Sequence, residues 1–475
     1  MNLINNGLIK FDRSLPIYNW YYPMFNKTVA GLDPMYPQKV FDRLDASSLD
    51  GRALYFHIPF CKSICTFCPF ERSAIQSDQI IEQYVRALIH EIQLKAKYSY
   101  VSDVPVIAIF MGGGTPSVLE PHQIQRIGKA IHDNFNLSKL KEFSVEMTAA
   151  TSTEEKLSAF QAIGVTHARF GIQTFNTRYR KFFNLSTNLD AMREFAKMLP
   201  LYFPHISFDM LYGMNGQTDE EFASDIQQAI AVGVSNIDYY PINNVVTQPI
   251  LHKIFEGEGL PPTSGLRKFQ MNILLREYML AGGFAPHNGH GFVKVSDTSL
   301  KVLNDKAVTN EYTFWYHKYV YGYRDAEVLG FGTNAISTLN RYTMRNIESW
   351  EKYINNLLNF NTLEFLVGEH DTVFDESKGV ILHLPYHGSV EKKLINWDAV
   401  HPDSLSALRR LIDASLVLEH PDSFKLTVQG WYWYVNLLYY LSPKEEQSIL
   451  DRFIADHCAS AVRHVESVEM PMLKN

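Results

Sequence analysis

The 475-residue chain has few cysteines, no excess of positive charge and no long apolar run. Four cysteines in a chain of this size, without a secretory signal, argue against a disulfide-stabilised secreted protein. A net charge of −7 argues against a nucleic-acid surface, since phosphate binding needs basic patches. The longest apolar stretch, Trp431–Leu441, is interrupted by Asn436 and is too short to span a bilayer. We therefore expect a cytoplasmic protein with neither a nucleic-acid nor a membrane partner.

Three of the four cysteines, Cys61, Cys65 and Cys68, lie within one short segment. Their spacing suits three thiolates that bind one iron–sulfur cluster, for which Cys is the usual protein ligand. A four-iron cluster with three protein ligands leaves one iron open to another molecule. A zinc site would need a second Cys/His pair, and none follows, because Cys458 is far away in the sequence. Chance clustering of structural cysteines is the remaining alternative.

Short apolar or β-branched segments alternate with helical segments from residue 51 onwards. The candidate strands are Ala53–His57, Val106–Met111, Glu142–Met147, His167–Ile172, Ile206–Leu211 and Asn236–Pro241. The candidate helices between them include Asp78–Lys95, Pro121–Phe135 and Asp219–Gly233. This alternation predicts an α/β fold with a parallel sheet, a partial (β/α)6 TIM-like barrel. Its active site would lie at the carboxyl ends of the strands, where the cysteine segment follows the first strand.

The composition changes on either side of this repeat. We predict an N-terminal arm at residues 1–50, the barrel at 51–245, an extension covering the barrel mouth at 246–370, and a C-terminal α+β winged-helix-like domain at 371–475. In the extension, Pro249–Leu266 is predicted to be irregular and Arg267–Ala281 to be a helix. An aromatic run around Trp315 and Tyr316 suits a flat ligand, although core packing explains it equally well.

Polar and glycine residues end the predicted strands. Gly112, Gly113, Gly114 and Thr115 follow the second strand, where glycines let backbone approach a ligand. The ends of the next three strands carry Glu146, Gln173 and Asp209. Buried polar groups need partners, which a ligand with an amine, a ribose and a purine would supply; helix capping is the alternative. Phe67, between two cysteines, can pack on an adenine or simply fill space.

The 17 histidines form no clean metal-binding pattern. His57 adjoins the cysteine segment, His287 and His290 lie in a glycine-rich segment, and His317 lies in the aromatic run. The last three could face a substrate, although a loop histidine is more often solvated.

Together these segments resemble the oxygen-independent coproporphyrinogen III oxidase-like family of radical S-adenosylmethionine (SAM) proteins. The matching strings, which lie within residues 51–340, are Tyr55-Phe-His-Ile-Pro-Phe-Cys61-x3-Cys65-x-Phe67-Cys68, Gly112-Gly-Gly-Thr-Pro116, Ser144-Val-Glu146, Gly171-Ile-Gln173-Thr-Phe175 and Asp209-Met-Leu-Tyr-Gly213. The later Leu426-Thr-x-x-Gly430 segment is similar to the anaerobic haem-degrading methyltransferase branch.

The resemblance implies a [4Fe-4S] cluster on Cys61, Cys65 and Cys68, a SAM molecule on its open iron and, in many members, a second SAM. It implies contacts to the first SAM from the set Tyr55, Gly113, Glu146, Gln173 and Asp209. The resemblance also implies that the second SAM is bordered by Phe67, the Asn243–Asn244 turn and the Ala335–Ile336 segment. The cysteines and Tyr55 form the expected catalytic set. A flavodoxin or ferredoxin would supply the electron.

One position departs from the family pattern. Members commonly carry an arginine that helps to hold the SAM carboxylate at the position occupied here by Leu185. Arg178, Arg180 or Lys181, from the preceding turns, would then have to replace it.

The leading expectation is an enzyme that cleaves SAM to a 5′-deoxyadenosyl radical and transfers a methyl or methylene group from a second SAM to a planar unsaturated substrate, such as a tetrapyrrole. One alternative is oxidative decarboxylation of coproporphyrinogen III, whose carboxylates call for several Arg or Lys side chains. The other is a haem-binding chaperone without turnover, with His287, His290 or His317 as the axial ligand.

Overall fold

Six parallel strands in sequence order form the centre of the protein. The structure is a computed structural model that describes residues 4–5, 10–11, 14–18, 20–24, 27–28, 40–44, 49–185, 187–242, 246–295 and 314–459. The six strands are β1 (Arg52–Ile58), β2 (Val106–Gly113), β3 (Glu142–Met147), β4 (His167–Gln173), β5 (His205–Tyr212) and β6 (Asn236–Pro241). Each pairs in parallel with the next. The predicted α/β alternation is therefore confirmed, and the strand ends meet at one edge.

Helices connect these strands and cover one face of the sheet. They are α1 (Asp78–Lys95), α2 (Pro121–Asn134), α3 (Glu154–Ala162), α4 (Thr177–Phe182), α5 (Leu189–Met198) and α6 (Asp219–Val232). In α6, Thr218 and Glu221 form a capping box, and Gly233 ends the helix at a φ of 85°. Apolar side chains of the strands and helices form one large buried core, which includes Leu54 and Ile109.

The sheet continues past the six strands on both sides, to thirteen strands in all among the described residues. Next to β6 lie β7 (Phe284–Pro286) and β8 (Gly291–Lys294), both antiparallel to their neighbours. Next to β1 lies the parallel β9 (Val328–Phe331), followed by the antiparallel strands β10 (Ile336–Leu339), β11 (Tyr342–Asn346) and β12 (Phe365–Glu369). The two-residue strand Lys27–Thr28 completes the edge.

The prediction of an irregular Pro249–Leu266 segment is wrong for its first half, which is the helix α7 (Pro249–Gly257). Proline at the first helical position has a favourable φ and lacks only a hydrogen-bond donor that no helix partner would use. Leu251 and Phe255, one turn apart, are both buried and hold the helix in place. The next helix, α8 (Gly265–Ala281), begins two residues earlier than predicted.

The rest of the chain is largely helical, with a small antiparallel sheet. The helices are α9 (Trp315–Val320), α10 (Trp350–Asn359), α11 (Thr372–Lys378), α12 (Leu384–His387), α13 (Pro402–Asp413), α14 (Val428–Tyr432), α15 (Tyr434–Leu441) and α16 (Lys444–Ala459). The strand Ser423–Leu426 pairs with both Ser389–Glu391 and Val417–Glu419. Trp433 stacks on Phe269 of α8 at 3.7 Å between ring centroids, which joins this part to that helix. Within the described residues, no helix combines the length and apolar character needed to cross a membrane.

Candidate active site

The three clustered cysteines lie on one loop at the carboxyl end of β1. Cys61 is in a two-residue strand, Phe60–Cys61, that pairs with Ser73–Ala74, and Cys65 and Cys68 follow in a turn. Two hydrogen bonds from Thr66 connect this turn to the end of α4. The Thr66 amide donates to the carbonyl of Phe183 at 3.3 Å, and the Thr66 hydroxyl donates to the carbonyl of Phe182 at 2.8 Å. None of the three thiols is in a disulfide.

Burial makes these thiols poor acids on their own. It raises the pKa of Cys65 to about 12, with the neighbouring thiols acting in the same direction, and that of Cys68 to about 11. A thiol becomes a metal ligand as the thiolate, so a bound cation must replace the proton. Three protonated, partly buried thiols on one loop therefore fit a site for a metal cluster.

The glycine segment at the end of β2 packs directly against β1 and β3. Gly113 has a φ of 107°, and a Cβ atom there would lie 2.6 Å from the ring of His57. A Cβ on Gly112 would lie 2.7 Å from Oε2 of Glu146. The hydroxyl of Thr115, just beyond, donates to the sulfur of Cys61 at 3.4 Å. The absence of side chains at these glycines thus lets the backbone lie beside both the cysteine loop and Glu146.

Two carboxyl groups and one guanidinium lie on the neighbouring strands β3, β4 and β5. Oε2 of Glu146 accepts a hydrogen bond of 3.2 Å from the amide of Gly113. Nη2 of Arg169 lies 3.4 Å from Oδ1 of Asp209 and also pairs with Asp238 of β6. Burial raises the pKa of both Glu146 and Asp209 to about 7, while Arg169 acts in the opposite direction. A cationic ligand bound beside these carboxyl groups would favour their ionised forms.

A cavity of about 350 Å³ lies over these strand ends. It is lined by Tyr18, Tyr55, Phe67, Cys68, Pro69, Phe70, Phe110, Gly113, Glu146, Arg169, Gln173, Asp209, Leu211, Tyr240, Pro241, Ile242, His290, Phe314, Tyr316, His317, Val320, Tyr321 and Tyr386. Ten of these are Phe or Tyr, a composition typical of pockets for flat organic ligands. Seven of the residues singled out in the sequence as cofactor contacts or cluster ligands thus share one cavity with the aromatic run.

Gln173 reaches the cavity through an unusual backbone conformation. Its φ is 71°, in the left-handed region that non-glycine residues seldom adopt. A Cβ on Gly171 would lie 2.1 Å from Nε2 of Gln173, so the glycine provides the space in which this side chain lies.

Some of the predicted cofactor contacts lie elsewhere. Ala335 is fully buried beneath Gly330, and neither it nor Ile336 lines the cavity. The other predicted segment beside a second SAM, Asn243–Asn244, lies outside the described residues.

None of the three suggested replacements for the missing family arginine lines the cavity. Arg178 pairs with Glu221 at 2.9 Å, and Lys181 is exposed. Arg180 is buried and donates to three backbone carbonyls, although it is close enough to Cys65 to lower the pKa of that thiol. Leu185 packs in the same apolar cluster as Phe67.

Two of the three histidines considered as substrate or haem contacts line the cavity. His290 and His317 line the cavity, whereas His287 does not. Burial lowers the pKa of His287 to about 4 and that of His290 to about 3, so both are neutral at physiological pH.

Sequence reasoning missed a group of lining residues that come from distant segments. Tyr18 is in the N-terminal arm, Tyr386 is in α12, and Arg169 is in the middle of β4. Tyr321 and Tyr386 stack with 3.6 Å between ring centroids. No spacing in the sequence connects these positions. Only the high aromatic content indicated the aromatic wall, by which we mean the ten Phe and Tyr residues that line the cavity.

Comparisons with known proteins point to the same family as the sequence motifs. The sequence model of the Radical SAM superfamily matches residues 55–229. Anaerobilin synthase from Escherichia coli O157:H7 is 26% identical over 64% of this chain and 65% of its own length. Oxygen-independent coproporphyrinogen III oxidase from Paracoccus denitrificans is 26% identical over 69% and 70%, respectively. The heme chaperone HemW from Lactococcus lactis is 28% identical over 56% and 66%. The chain thus spans about two thirds of the length of these relatives.

The fold also has a close match among solved structures. Coproporphyrinogen III oxidase from Escherichia coli superimposes with a TM-score of 0.70, at 20% identity, over 89% of this chain and 96% of that protein. The family resemblance inferred from the cysteine, glycine and strand-end motifs is therefore confirmed, as is the fold class.

Proposed function

Because this chain carries a radical SAM superfamily domain at residues 55–229, we propose that it binds a [4Fe-4S] cluster through Cys61, Cys65 and Cys68 and cleaves SAM. The proposal is carried by one observation: Cys68, on the loop that also holds Cys61 and Cys65, lines the same cavity as Glu146 and Gln173. When bound, the cluster supplies the electron that converts SAM to a 5′-deoxyadenosyl radical.

The chain's own residues bind and shield the cofactor in this proposal. The carboxylate of Glu146 would accept a hydrogen bond from the ammonium group of SAM, and Asp209 would accept hydrogen bonds from hydroxyl groups of the ribose. Phe67, which packs edge-on against Phe183 at 5.0 Å, would contact the adenine. The aromatic wall excludes water, which protects a carbon radical from side reactions. A flavodoxin or ferredoxin remains the predicted electron donor.

We propose a tetrapyrrole as the substrate, with oxidative decarboxylation as the reaction. The aromatic lining suits a flat macrocycle, and the relatives are named for coproporphyrinogen, haem and anaerobilin. Methyl transfer, the leading expectation from the sequence, has no support in those names. Arg169 is the one Lys or Arg among the described lining residues, and Asp209 and Asp238 already pair with it. The propionate that reacts would therefore enter the cavity, and the substrate's other carboxylates would point out of it.

The experiment is a product analysis under anaerobic conditions. Reconstituted protein is incubated with dithionite, SAM and either coproporphyrinogen III or haem, and products are identified by mass spectrometry, with Cys65→Ala as the control. Vinyl products that have lost carbon dioxide support decarboxylation. A product heavier by one methylene, formed with S-adenosylhomocysteine, would overturn decarboxylation in favour of methyl transfer. Formation of 5′-deoxyadenosine without any change in either tetrapyrrole would overturn the substrate assignment.

Haem binding without turnover is a second candidate, and it depends on His317. Nδ1 of His317 is 2.8 Å from the hydroxyl of Tyr386, and in the described part of the chain no group hydrogen-bonds to its Nε2. Burial holds the pKa of this ring well below its usual value, so it is neutral and able to bind iron. Haem titration followed by absorption spectroscopy tests this: His317→Ala should lose the ligated spectrum, and the exposed His122→Ala should keep it. Lack of haem binding by the wild type would exclude this candidate.

A further inference from the structure

Arg72 lies next to the cysteine loop and has not been assigned a role above. It immediately precedes Ser73–Ala74, the short strand that pairs in parallel with Phe60–Cys61. The amide of Ser73 donates to the carbonyl of Pro59 at 2.7 Å, and the amide of Ile75 donates to that of Cys61 at 3.1 Å. Backbone hydrogen bonds on both sides of the strand therefore fix residue 72 beside the loop.

The guanidinium group of Arg72 is only partly satisfied. Its Nη1 donates to the carbonyl of Phe70, a residue of the cavity wall. Its Nε is buried and has no hydrogen-bond partner among the described residues. An unmet buried donor is costly, and a cationic one more so, which suggests that an acceptor binds there.

Arg72 is held beside the cysteine loop with one donor still unused. It follows the third cysteine by four residues, and the strand after it pairs with Phe60–Cys61. Arg180, the other arginine near the loop, gives its N–H groups to the backbone carbonyls of Ile172, Thr174 and Thr187. Of these two arginines, Arg72 is thus the one with a buried donor left for the cluster.

We propose that Arg72 is the counter-charge of the iron–sulfur cluster and stabilises its reduced form. This rests on the proposed function, since it assumes that the three thiols hold a cluster. Reduction adds one negative charge, and net charge and hydrogen bonds to sulfur are what set the potential of such clusters. The unpartnered Nε–H supplies the donor and the guanidinium supplies the charge.

The test is the reduction potential of the reconstituted cluster, measured by titration with EPR detection in the absence of SAM. The cluster of Arg72→Gln should be about tenfold harder to reduce than that of the wild type. For a one-electron couple this is a reduction potential lower by about 59 mV. Arg72→Lys keeps the charge but lacks the Nε–H donor, so its potential should fall by less than that of the glutamine variant. Lys62→Gln is the matched control, because Lys62 is in the same loop but exposed, where solvent screens its charge. If the glutamine variant does not retain iron, Arg72→Met, which keeps most of the side-chain length, replaces it.

An unchanged potential in a variant with full iron content would overturn the proposal. So would an unchanged potential with a weakened SAM dissociation constant, which would assign Arg72 to the SAM carboxylate. An equal fall in Arg72→Lys would show that charge is not the cause. If the wild type itself builds no cluster, it is the proposed function that fails, and the two failures are distinguishable.

Discussion

The hydroxyl of Tyr55 donates a hydrogen bond of 2.9 Å to Nδ1 of His57, two residues along β1. The direction follows from the other ring nitrogen, since Nε2 donates to the carbonyl of Glu71 at 3.0 Å. Burial lowers the pKa of His57 to about 4, so the ring stays neutral in the cell. The pair links the cavity wall, at Tyr55, to the segment that follows the third cysteine.

Tyr55→Phe should therefore destabilise the protein. It removes the hydroxyl and leaves Nδ1 of a buried histidine without a donor, at a cost of about 1–3 kcal/mol. The free energy of unfolding of the cluster-free protein in denaturant measures this. Tyr202→Phe is the control, because within the described residues its hydroxyl makes no hydrogen bond, and its effect should be within about 0.5 kcal/mol. Equal effects in the two variants would contradict this reading of the Tyr55–His57 pair.

The affinity for SAM should depend on pH through Glu146. Burial raises the pKa of this carboxyl group to about 7, and the ammonium group of SAM binds its ionised form. Below pH 7 the carboxyl group must first lose a proton, so the dissociation constant should rise by up to about tenfold per pH unit as pH falls. Anaerobic equilibrium dialysis at pH 6, 7 and 8 checks this.

Two variants isolate the contribution of Glu146. Glu146→Gln should bind SAM weakly and with a smaller pH dependence, which then comes from Asp209, whose pKa is also raised to about 7. Glu142→Gln should keep the wild-type profile, because burial raises the pKa of Glu142 to about 7 as well, yet this residue is not part of the cavity lining. A flat profile in the wild type would show that Glu146 does not bind the ammonium group.

Gly113→Ala should both strain the backbone and displace His57. The φ of 107° is unfavourable for alanine, and the added Cβ would lie 2.6 Å from the imidazole. We expect a loss of about 1–3 kcal/mol in the free energy of unfolding. Gly257→Ala is the matched control, since nothing lies within 4 Å of its Cβ position, and it should change stability by no more than about 0.5 kcal/mol. A tolerated Gly113→Ala would show that the β2 end can move away from β1.

Arg169→Gln should be among the most destabilising single changes at this site. It leaves Asp209 and Asp238 without their shared cation, and breaking a buried ion pair costs about 3–5 kcal/mol. Because the pKa of Asp209 is raised to about 7, protonation relieves part of this cost below pH 7. The loss should therefore be larger at pH 8 than at pH 6. Arg193→Gln, which breaks an exposed pair with Asp190, should cost less than about 1 kcal/mol.

The regular part of the fold could be predicted because local patterns determine it. Glu142–Met147 and Asn236–Pro241 match the observed strands at both ends, and Asp78–Lys95 matches the observed helix. These segments combine a clear apolar pattern with definite ends, such as the Ser77 cap. The first half of Pro249–Leu266 was predicted wrongly, because the prolines and glycines of this segment also suit an irregular loop. Only the burial of Leu251 and Phe255 favours the observed helix.

The candidate site could be predicted only where its residues belong to short motifs. Cys68, Gly113 and Gln173 each come with neighbours that indicate a function, and all three line the cavity. Arg169 has no such neighbours, because its role depends on pairing with carboxylates on two other strands. Tyr18 and Tyr386 reach the cavity through packing between distant segments, which no local pattern encodes.

The most direct test of the central claim is the formation of 5′-deoxyadenosine from SAM by anaerobically reconstituted, dithionite-reduced protein. Wild type should bind four iron atoms and produce it, whereas Cys61→Ala, Cys65→Ala and Cys68→Ala should each produce none while keeping their fold by circular dichroism. A wild-type protein with a complete cluster that forms no 5′-deoxyadenosine would contradict the assignment of this cavity to radical SAM chemistry.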